Sequence, residues 1–334
     1  NDSDTARLFE IIRGLGGRGC AVVFIPHRLE EIYRVADRIT VLRDGKNVGT
    51  AGAADLPADR LVAWMVGREI GQHFPARAPV RGRPLLEVRG FSLPDPAGVK
   101  TWAVEDASFD LHEGEILGLA GLQGSGKSEL LGGLFGAFGP VSRGRITLDG
   151  AEFAPRSPAA SIARGLTLMT NDRKASGLVL GLSVARNITL ASLRGYSPGG
   201  WIREDRERSA AASRVRDFDI RIRSIDQETG TLSGGNQQKV VFAKWLETKP
   251  RILLLDEPTI GVDVGAKHEI YRMMNRWTSG GLGILLITSE LPELLAMSDR
   301  ILVMHRGRIL TAFDRAEATQ ERVVRAALGK EGNA

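Results

Sequence analysis

Short apolar runs recur along the chain, each bounded by glycine, proline or charged residues. The clearest are Ala21–Pro26, Ile252–Leu255 and Ile284–Ile287, and each has the length of a buried strand. Segments with helical periodicity follow several of these runs. Strands that alternate with helices are typical of an α/β fold. None of the runs approaches the roughly 18 apolar residues of a membrane-spanning helix.

One part of this pattern occurs twice. The segment His27–Gly45 matches Ser289–Gly307, and both copies contain the order Asp-Arg-Ile-x-Val. Asp37 aligns with Asp299, so the copies are offset by 262 residues. A repeat of this kind predicts that two copies of one domain contribute to the chain.

The repeat also predicts the domain organisation. The second copy begins near Leu85, so at the same offset the first would begin roughly 180 residues before Asn1. We therefore expect residues 1–50 to be the C-terminal tail of a truncated first domain. Four prolines interrupt residues 51–84, which we interpret as a linker because proline ends periodic structure. Residues 85–334 then form a complete second domain.

Composition narrows the class of protein. The 334 residues carry a net charge of +5, but the basic residues form no continuous stripe, which argues against nucleic-acid binding. A single cysteine, Cys20, excludes an internal disulfide, and we expect it to be a buried small apolar residue. Glycine accounts for 40 of the 334 residues, a fraction well above the usual ~7%. We therefore expect backbone segments that approach a ligand closely.

A glycine-rich loop is the strongest local signal. It spans Gly121–Ser128, after an apolar run and before a helical pattern. Glycines let backbone N–H groups wrap phosphates, and a helix N-terminus favours an anion. Lys127 adds a mobile positive charge, and Ser128 adds a hydroxyl for Mg²⁺. The residues predicted to hold nucleotide here are Gly121, Gln123, Gly124, Ser125, Gly126, Lys127, Ser128 and Glu129.

A second motif supplies carboxylates. The run Ile252–Leu255 ends at Asp256 and Glu257. A strand that ends beside a phosphate loop places Asp256 where it can bind Mg²⁺. Glu257 can then accept a proton from an attacking water molecule. We interpret Glu257 as the catalytic base rather than as part of an acidic surface turn.

A third motif lies between these two. Ser233, Gly234 and Gly235 precede the helical pattern that begins near Val240. A serine and two glycines at a helix start make an anion-binding site. Alone this pattern is no more than a helix cap, but here it follows a phosphate loop and precedes an Asp-Glu strand.

The order of these three motifs resembles that of ATP-binding cassette (ABC) ATPases. Longer stretches are similar to the second cassette of bacterial monosaccharide importers: 171–174, 232–239, 256–267 and 297–301. The resemblance covers nearly the whole chain, with residues 1–50 similar to the end of the family's first cassette. It implies a P-loop NTPase fold of the ABC type, with a parallel core sheet, a helical insertion from about Val184 to Trp245, and an antiparallel β layer formed by residues 85–111 and 144–149.

The resemblance also implies roles for individual residues. Two cassettes of such ATPases pack head to tail and enclose two ATP molecules between them. Ser233, Gly234, Gly235 and Gln237 would then contact the ATP held by a partner cassette. Asn171 occupies the place of a residue that senses the γ-phosphate and Mg²⁺.

An adenine contact follows from the same resemblance. Trp102 would stack on the base, with Phe91 as the alternative. Four other histidines lack partners at metal-binding spacing, and we interpret them as surface or structural residues: His73, His112, His268 and His305.

The two copies of the repeat differ at one position. Cassettes of this family usually carry a histidine that contacts the γ-phosphate there, and His27 and Ser289 occupy that place in the first and second copies. A serine cannot supply an imidazole contact to the transition state. We therefore expect the Lys127 site, completed by Ser289, to hydrolyse ATP slowly and the site that His27 completes to be the efficient one.

Partners and location follow from the resemblance alone. It implies an ATPase with ATP and Mg²⁺ as ligands, which drives import of a monosaccharide such as ribose at the cytoplasmic face of the bacterial inner membrane. Its partners would be transmembrane permease subunits, another cassette and, indirectly, a periplasmic sugar-binding protein. Two alternatives stay open: a nucleotide-binding regulatory fragment without turnover, and a soluble tandem cassette that acts on ribosomes or DNA.

Overall fold

The computed structural model describes residues 2–25, 29–43, 46–57, 60, 61, 64, 74–77, 81–140 and 142–329. The strands are β1 (Arg38–Arg43), β2 (Lys46–Gly52), β3 (Pro84–Pro94), β4 (Trp102–His112), β5 (Ile116–Gly121), β6 (Arg143–Leu148), β7 (Ala151–Phe153), β8 (Leu166–Met169), β9 (Ile252–Asp256), β10 (Gly283–Ile287), β11 (Arg300–His305) and β12 (Arg308–Asp314). The helices are α1 (Asp2–Gly16), α2 (Leu29–Val35), α3 (Lys127–Phe135), α4 (Pro158–Ala163), α5 (Val184–Thr189), α6 (Glu204–Asp217), α7 (Gly234–Glu247), α8 (Val264–Ser279), α9 (Leu291–Met297) and α10 (Gln320–Ala327).

These elements divide into two compact units. Residues 1–73 with 263–269 form the smaller unit, and residues 74–262 with 270–334 form the larger one. The division after residue 73 falls within the segment that we predict as a linker, and Phe74 and Arg77 pack with the larger unit. Phe74 lies 5.1 Å from the ring of Tyr271.

The larger unit is built on a six-stranded sheet. Its strand order is β12-β11-β5-β10-β9-β8, and all neighbours are parallel except the β11–β12 pair. Every residue of β9 and β10 is buried, because strands in the middle of a parallel sheet are covered on both faces. The apolar runs Ile252–Leu255 and Ile284–Ile287 therefore lie at the centre of this sheet, as predicted. The run that begins at Ala21 does not: its described residues, 21–25, form no strand, and Val23 is 91% exposed.

An antiparallel sheet forms the second layer. Its order is β4-β3-β6-β7, and its inward positions include Leu86, Val88 and Val104, each fully buried. The predicted layer is therefore present, and the short strand β7 extends it at one edge. The helical insertion is also present, as α5, α6 and α7 with short 3₁₀ turns between them.

The smaller unit reproduces one part of the larger unit. Helix α2 and strands β1 and β2 have the same bounds as α9, β11 and β12 after the offset of 262 residues. Even the irregularity in the hairpin is repeated, after Val41 in one copy and after Val303 in the other. The sequence repeat is thus a structural repeat.

Burial differs between the copies. In the larger unit, β11 pairs with β5 as well as with β12, and Leu285 of the adjoining β10 is fully buried. In the described part of the smaller unit, β1 pairs with β2, and Val23, the counterpart of Leu285, is 91% exposed. Cys20 is exposed too, so the expectation that it is buried is wrong. In the described ranges, no helix has the length and apolar character needed to cross a membrane.

Candidate functional site

The glycine-rich loop joins β5 to α3 at the carboxyl edge of the large sheet. Gly121, Gly124 and Gly126 have φ angles of 151°, 74° and 100°, which side-chain-bearing residues rarely adopt. A Cβ on Gly126 would collide with the carbonyl oxygen of Ala103. The loop therefore needs glycine both for its backbone conformation and for its close packing, and it leaves the first N–H groups of α3 without helical partners.

Lys127 begins α3, and its side chain folds back over the loop. Its Nζ donates to the carbonyls of Gly121 and, at 3.1 Å, of Leu122. Burial lowers the pKa of Lys127, and the nearby carboxylates of Glu257 and Asp256 oppose that shift. The ammonium group thus lies between the loop and the two carboxylates.

Asp256 and Glu257 end β9 beside this loop. Burial raises the pKa of Asp256, and a hydrogen bond with the Ser128 side chain opposes the shift. Burial also raises the pKa of Glu257, which accepts a hydrogen bond from Ser289 Oγ at 3.1 Å. The structure therefore brings Lys127 and Ser128 of the glycine-rich loop together with the two carboxylates of the second motif.

Glu257 has an unusual backbone. Its φ angle is +53°, in the left-handed region that a glutamate seldom adopts. Its N–H donates to the Ile287 carbonyl at 2.9 Å, which ties it to β10. Such a conformation persists only where the surrounding structure holds it.

The third motif, Ser233 to Gly235, lies at the start of helix α7. Ser233 is the N-cap residue, and its Oγ accepts a hydrogen bond from Asn236 Nδ2 at 3.0 Å. Gln237 is only 5% exposed and donates to the Leu232 carbonyl at 3.2 Å. The amide N–H group of Gln237 is thus directed into its own chain, and its contact with the ATP of a second cassette stays a prediction.

The two aromatic candidates for adenine stacking differ in how far they are buried. Phe91 is fully buried, and its ring lies against Gly133 of α3, so it is not available to a ligand. Trp102 is partly exposed and directly precedes Ala103, whose carbonyl packs on the phosphate loop. The Arg143 guanidinium lies over the Trp102 ring, 5.2 Å from its centroid. Trp102 stays the candidate for the adenine contact.

The remaining predicted positions are spread along the chain, and some of them lie outside the described residues. Asn171 is exposed and follows β8. His27 and His73 fall outside the described residues. His112 contacts Glu115 Oε2 at 3.0 Å, and His305 Nδ1 lies 2.9 Å from the Ala327 carbonyl, which agrees with structural roles.

Two functional candidates were missed by the motif analysis. Arg173 Nη1 donates to the Ile260 carbonyl at 2.9 Å, and Gln238 Nε2 donates to the Pro258 carbonyl at 2.5 Å. Both therefore hold the turn that follows Glu257. Arg173 and Gln238 lie in the stretches 171–174 and 232–239, which carry the family resemblance. No pattern in a single sequence, however, predicts that their side chains contact the same turn.

The residues of this site fit a nucleotide phosphate with a divalent cation. Ser125 Oγ is buried in the loop without a hydrogen-bond partner, which is costly unless a ligand satisfies it. Ser128 and Asp256 supply the hydroxyl and carboxylate oxygens that Mg²⁺ prefers. Across the described ranges, no cluster of three or more His, Cys, Asp or Glu side chains could hold a metal without other ligands.

Comparison with known proteins gives two kinds of similarity. Residues 104–260 match the ABC transporter family. The chain is 43% identical over 332 residues to the ribose import ATP-binding protein RbsA of Oceanobacillus iheyensis. That alignment covers 99% of this chain and 65% of the relative, so the chain spans less than two thirds of the relative's length.

Solved structures share the fold at lower identity. A nucleotide-free ATP-binding cassette from an ABC transporter superposes with a TM-score of 0.61 at 21% identity, over 75% of this chain and 96% of that one. A post-hydrolysis dimer of the cassette MJ0796, bound to ADP and Pi, gives a TM-score of 0.60 at 20% identity, over 69% of this chain and 98% of that one.

Proposed function

We propose that the chain, whose residues 104–260 match the ABC transporter family, binds and hydrolyses ATP to drive the import of a monosaccharide such as ribose. The observation that carries the proposal is the convergence of Lys127, Ser128, Asp256 and Glu257 at one edge of the sheet. The similarity to a ribose import ATP-binding protein supports the choice of sugar class.

ATP binding follows from the charge and shape of the loop. The triphosphate lies against the N–H groups at the start of α3, where the helix dipole favours an anion. The Lys127 ammonium exchanges the carbonyls of Gly121 and Leu122 for phosphate oxygens. Ser125 Oγ gains a hydrogen-bond partner, and Trp102 stacks on adenine.

Hydrolysis requires a base beside the γ-phosphate. Burial raises the pKa of Glu257, which makes its carboxylate a stronger base, and the Ser289 hydroxyl orients one of its oxygens. Ser128 and Asp256 would hold Mg²⁺, which neutralises phosphate charge when bound. Lys127 adds a further positive charge on the phosphates.

The partners belong to the same proposal. Ser233, Gly234 and Gly235 face the ATP of another cassette in a head-to-tail pair. The helical insertion and the loop near Asn171 contact the cytoplasmic side of transmembrane permease subunits, and a periplasmic sugar-binding protein delivers the sugar. The chain thus works at the cytoplasmic face of the bacterial inner membrane. Residues 1–50 belong in this proposal to the end of a first cassette.

Two substitutions in the purified chain test the ATPase proposal. Lys127→Ala removes the phosphate-binding cation, so we expect ATP affinity to fall at least about tenfold, the loss of one charged hydrogen bond. Glu257→Gln keeps the shape but removes the base, so ATP still binds while turnover falls about 100-fold. Lys174→Ala is the matched control, because Lys174 is exposed and lies away from the loop in sequence.

ATP binding by isothermal calorimetry and phosphate release measure the two effects. Unchanged ATP affinity in Lys127→Ala would contradict the binding site. Binding without turnover in the wild-type chain, with turnover regained on adding another cassette, would identify the chain as one half of the catalytic pair. Binding without turnover under both conditions would favour the regulatory alternative.

Ser289 bears on the rate of this site. A hydroxyl contacts Glu257 but supplies no imidazole to the γ-phosphate, so the Lys127 site turns over slowly. We expect Ser289→His to raise kcat several-fold, about the contribution of one additional transition-state contact, while the KM for ATP changes little. Ser289→Ala is the comparison variant, and a fall in kcat for Ser289→His below that of Ser289→Ala argues against the assignment.

A further inference from the structure

Arg173 lies where three segments of the larger unit meet. It begins the turn 173–177, which follows β8, and its Nη1 donates to the Ile260 carbonyl at 2.9 Å. A Cβ on Gly234, the first residue of α7, would lie 2.9 Å from Arg173 Nη2 and 3.3 Å from the Gly261 carbonyl oxygen. The guanidinium therefore fills the space between the start of α7 and the turn after Glu257.

The turn that carries Arg173 is itself anchored at both ends. Asp172 Oδ1 accepts the N–H groups of Lys174 and Ala175 at 3.0 and 2.9 Å. At the other end, Lys244 of α7 donates from Nζ to the Gly177 carbonyl at 2.5 Å. These contacts hold the backbone of Arg173 in place, so its side chain reaches the Ile260 carbonyl from a fixed point.

The segment that Arg173 holds is the one that constrains Glu257. Ile260 N donates to the Glu257 carbonyl at 3.2 Å, which closes a turn directly after the catalytic residue. Glu257 has a φ angle of +53°, a conformation that relaxes unless its neighbours prevent it. Gln238 holds the Pro258 carbonyl of this turn, and Arg173 holds the Ile260 carbonyl.

We propose that Arg173 is a positioning residue for ATP hydrolysis, which keeps the Glu257 carboxylate in place by holding the Ile260 carbonyl. The inference rests on the proposed ATPase function. Because Arg173 acts on the turn after Glu257 rather than on the phosphate loop, it affects the chemical step and not the binding of ATP. It also makes the turn 173–177 a link between the exposed loop near Asn171 and the catalytic carboxylate.

Variants at position 173 test this role in the purified chain. Arg173→Gln removes the guanidinium, and we expect kcat to fall about tenfold, as for the loss of one charged hydrogen bond, with the KM for ATP within about twofold of wild type. Arg173→Lys keeps the charge without the planar fork and should recover part of kcat. Lys174→Gln is the matched control, since it removes one positive charge from the same turn, and it should leave both constants unchanged.

Hydrogen–deuterium exchange in nucleotide-free protein gives a readout that does not depend on turnover. The amides of Ile260 and Val262 should exchange faster in Arg173→Gln than in wild type or Lys174→Gln, while those of β9 should not change. If Arg173→Gln unfolds, the exchange of the same amides is compared between Arg173→Lys and wild type.

The outcomes separate this role from the proposed function. Faster exchange with an unchanged kcat would overturn the positioning role, and unchanged exchange would overturn the contact on which it depends. A raised KM with an unchanged kcat would instead place Arg173 in ATP binding, which also contradicts the proposal. A wild-type chain that neither binds nor hydrolyses ATP overturns the proposed function, and the role of Arg173 in hydrolysis with it.

Discussion

Lys127 is partly buried and Lys244 is buried, and their surroundings give them different roles. Lys127 lies beside Glu257 and Asp256, whose negative charges favour the protonated form. Lys244 is 6% exposed, donates to the Gly177 carbonyl, and its Nζ lies 4.3 Å from the centroid of the Trp245 ring. A carbonyl and an aromatic ring compensate a buried charge only in part. Lys127 is therefore suited to meet an anionic ligand, whereas the charge of Lys244 destabilises the fold.

The burial of Lys244 predicts a pH dependence of stability. Desolvation lowers the pKa of Lys244 to about 8, below its unfolded value. Between these two pKa values the unfolded chain binds more protons than the folded chain, so this contribution to stability rises with pH. Relative to Lys244→Met, the free energy of unfolding of the wild-type chain should rise by about 2 kcal/mol from pH 8 to pH 10. Urea unfolding at both pH values measures it, and parallel profiles for the two proteins would contradict the prediction.

At the scale of elements, helix α9 packs closely against strand β5, the strand that leads into the glycine-rich loop. Gly118 is paired on both sides, with Leu286 of β10 and Ile301 of β11. A Cβ there would lie 2.9 Å from the Leu294 side chain and closer still to that of Ser298. The sheet and the helix therefore meet at a position where only a hydrogen fits.

Gly118→Ala should overpack this contact. We expect a loss of about 1–3 kcal/mol in the free energy of unfolding, because neither the central strand nor the helix can move away cheaply. Gly181→Ala is the matched control, since a Cβ at Gly181 meets no atom within 4 Å. Midpoints of urea unfolding compare the two variants, and equal midpoints would show that α9 can shift to accept the methyl group.

At the scale of the whole molecule, Arg77 joins segments that are far apart in sequence. Its side chain is 3% exposed and forms an ion pair with Asp299, at 2.5 Å from Nη2 to Oδ2. It also donates to Thr278 Oγ1 and to the Gly114 carbonyl, each at 2.6 Å. Asp299 in turn accepts the Ile116 N–H at the start of β5. One guanidinium thus ties the segment before β3 to α8 and to the start of the central strands.

Arg77→Met should leave the Asp299 carboxylate buried without its cation. We expect a loss of about 3–5 kcal/mol, the usual cost of removing one member of a buried pair. Asp299→Asn in the Arg77→Met background should recover part of it, because the uncompensated charge is gone. Arg83→Met is the control, since the Arg83 side chain is 52% exposed and its ion pairs contribute at most about 1 kcal/mol. Chemical unfolding measures all four proteins, and equal losses for Arg77→Met and Arg83→Met would refute the argument.

Local patterns determined the elements and most of the candidate site. The apolar runs predicted β9 and β10, and the glycine loop predicted the strand-to-helix turn at Lys127, because these features depend on neighbours in sequence. Contacts across the fold were not predictable in this way. Gln237 and Phe91 have the residue types that a nucleotide site uses, but packing buries both, and Arg173 meets the turn after Glu257 only because β8, α7 and β9 converge.

The repeat shows the same division most clearly. The sequence by itself determined that residues 29–52 and 291–314 form the same helix and hairpin, because their apolar positions and the glycine of the turn agree. Only the tertiary structure decided burial: Leu285 is fully buried in β10 between β5 and β9, whereas its counterpart Val23 is 91% exposed. An apolar run becomes a buried strand only where neighbouring strands pair with it and helices cover it, as for Leu285 and not for Val23.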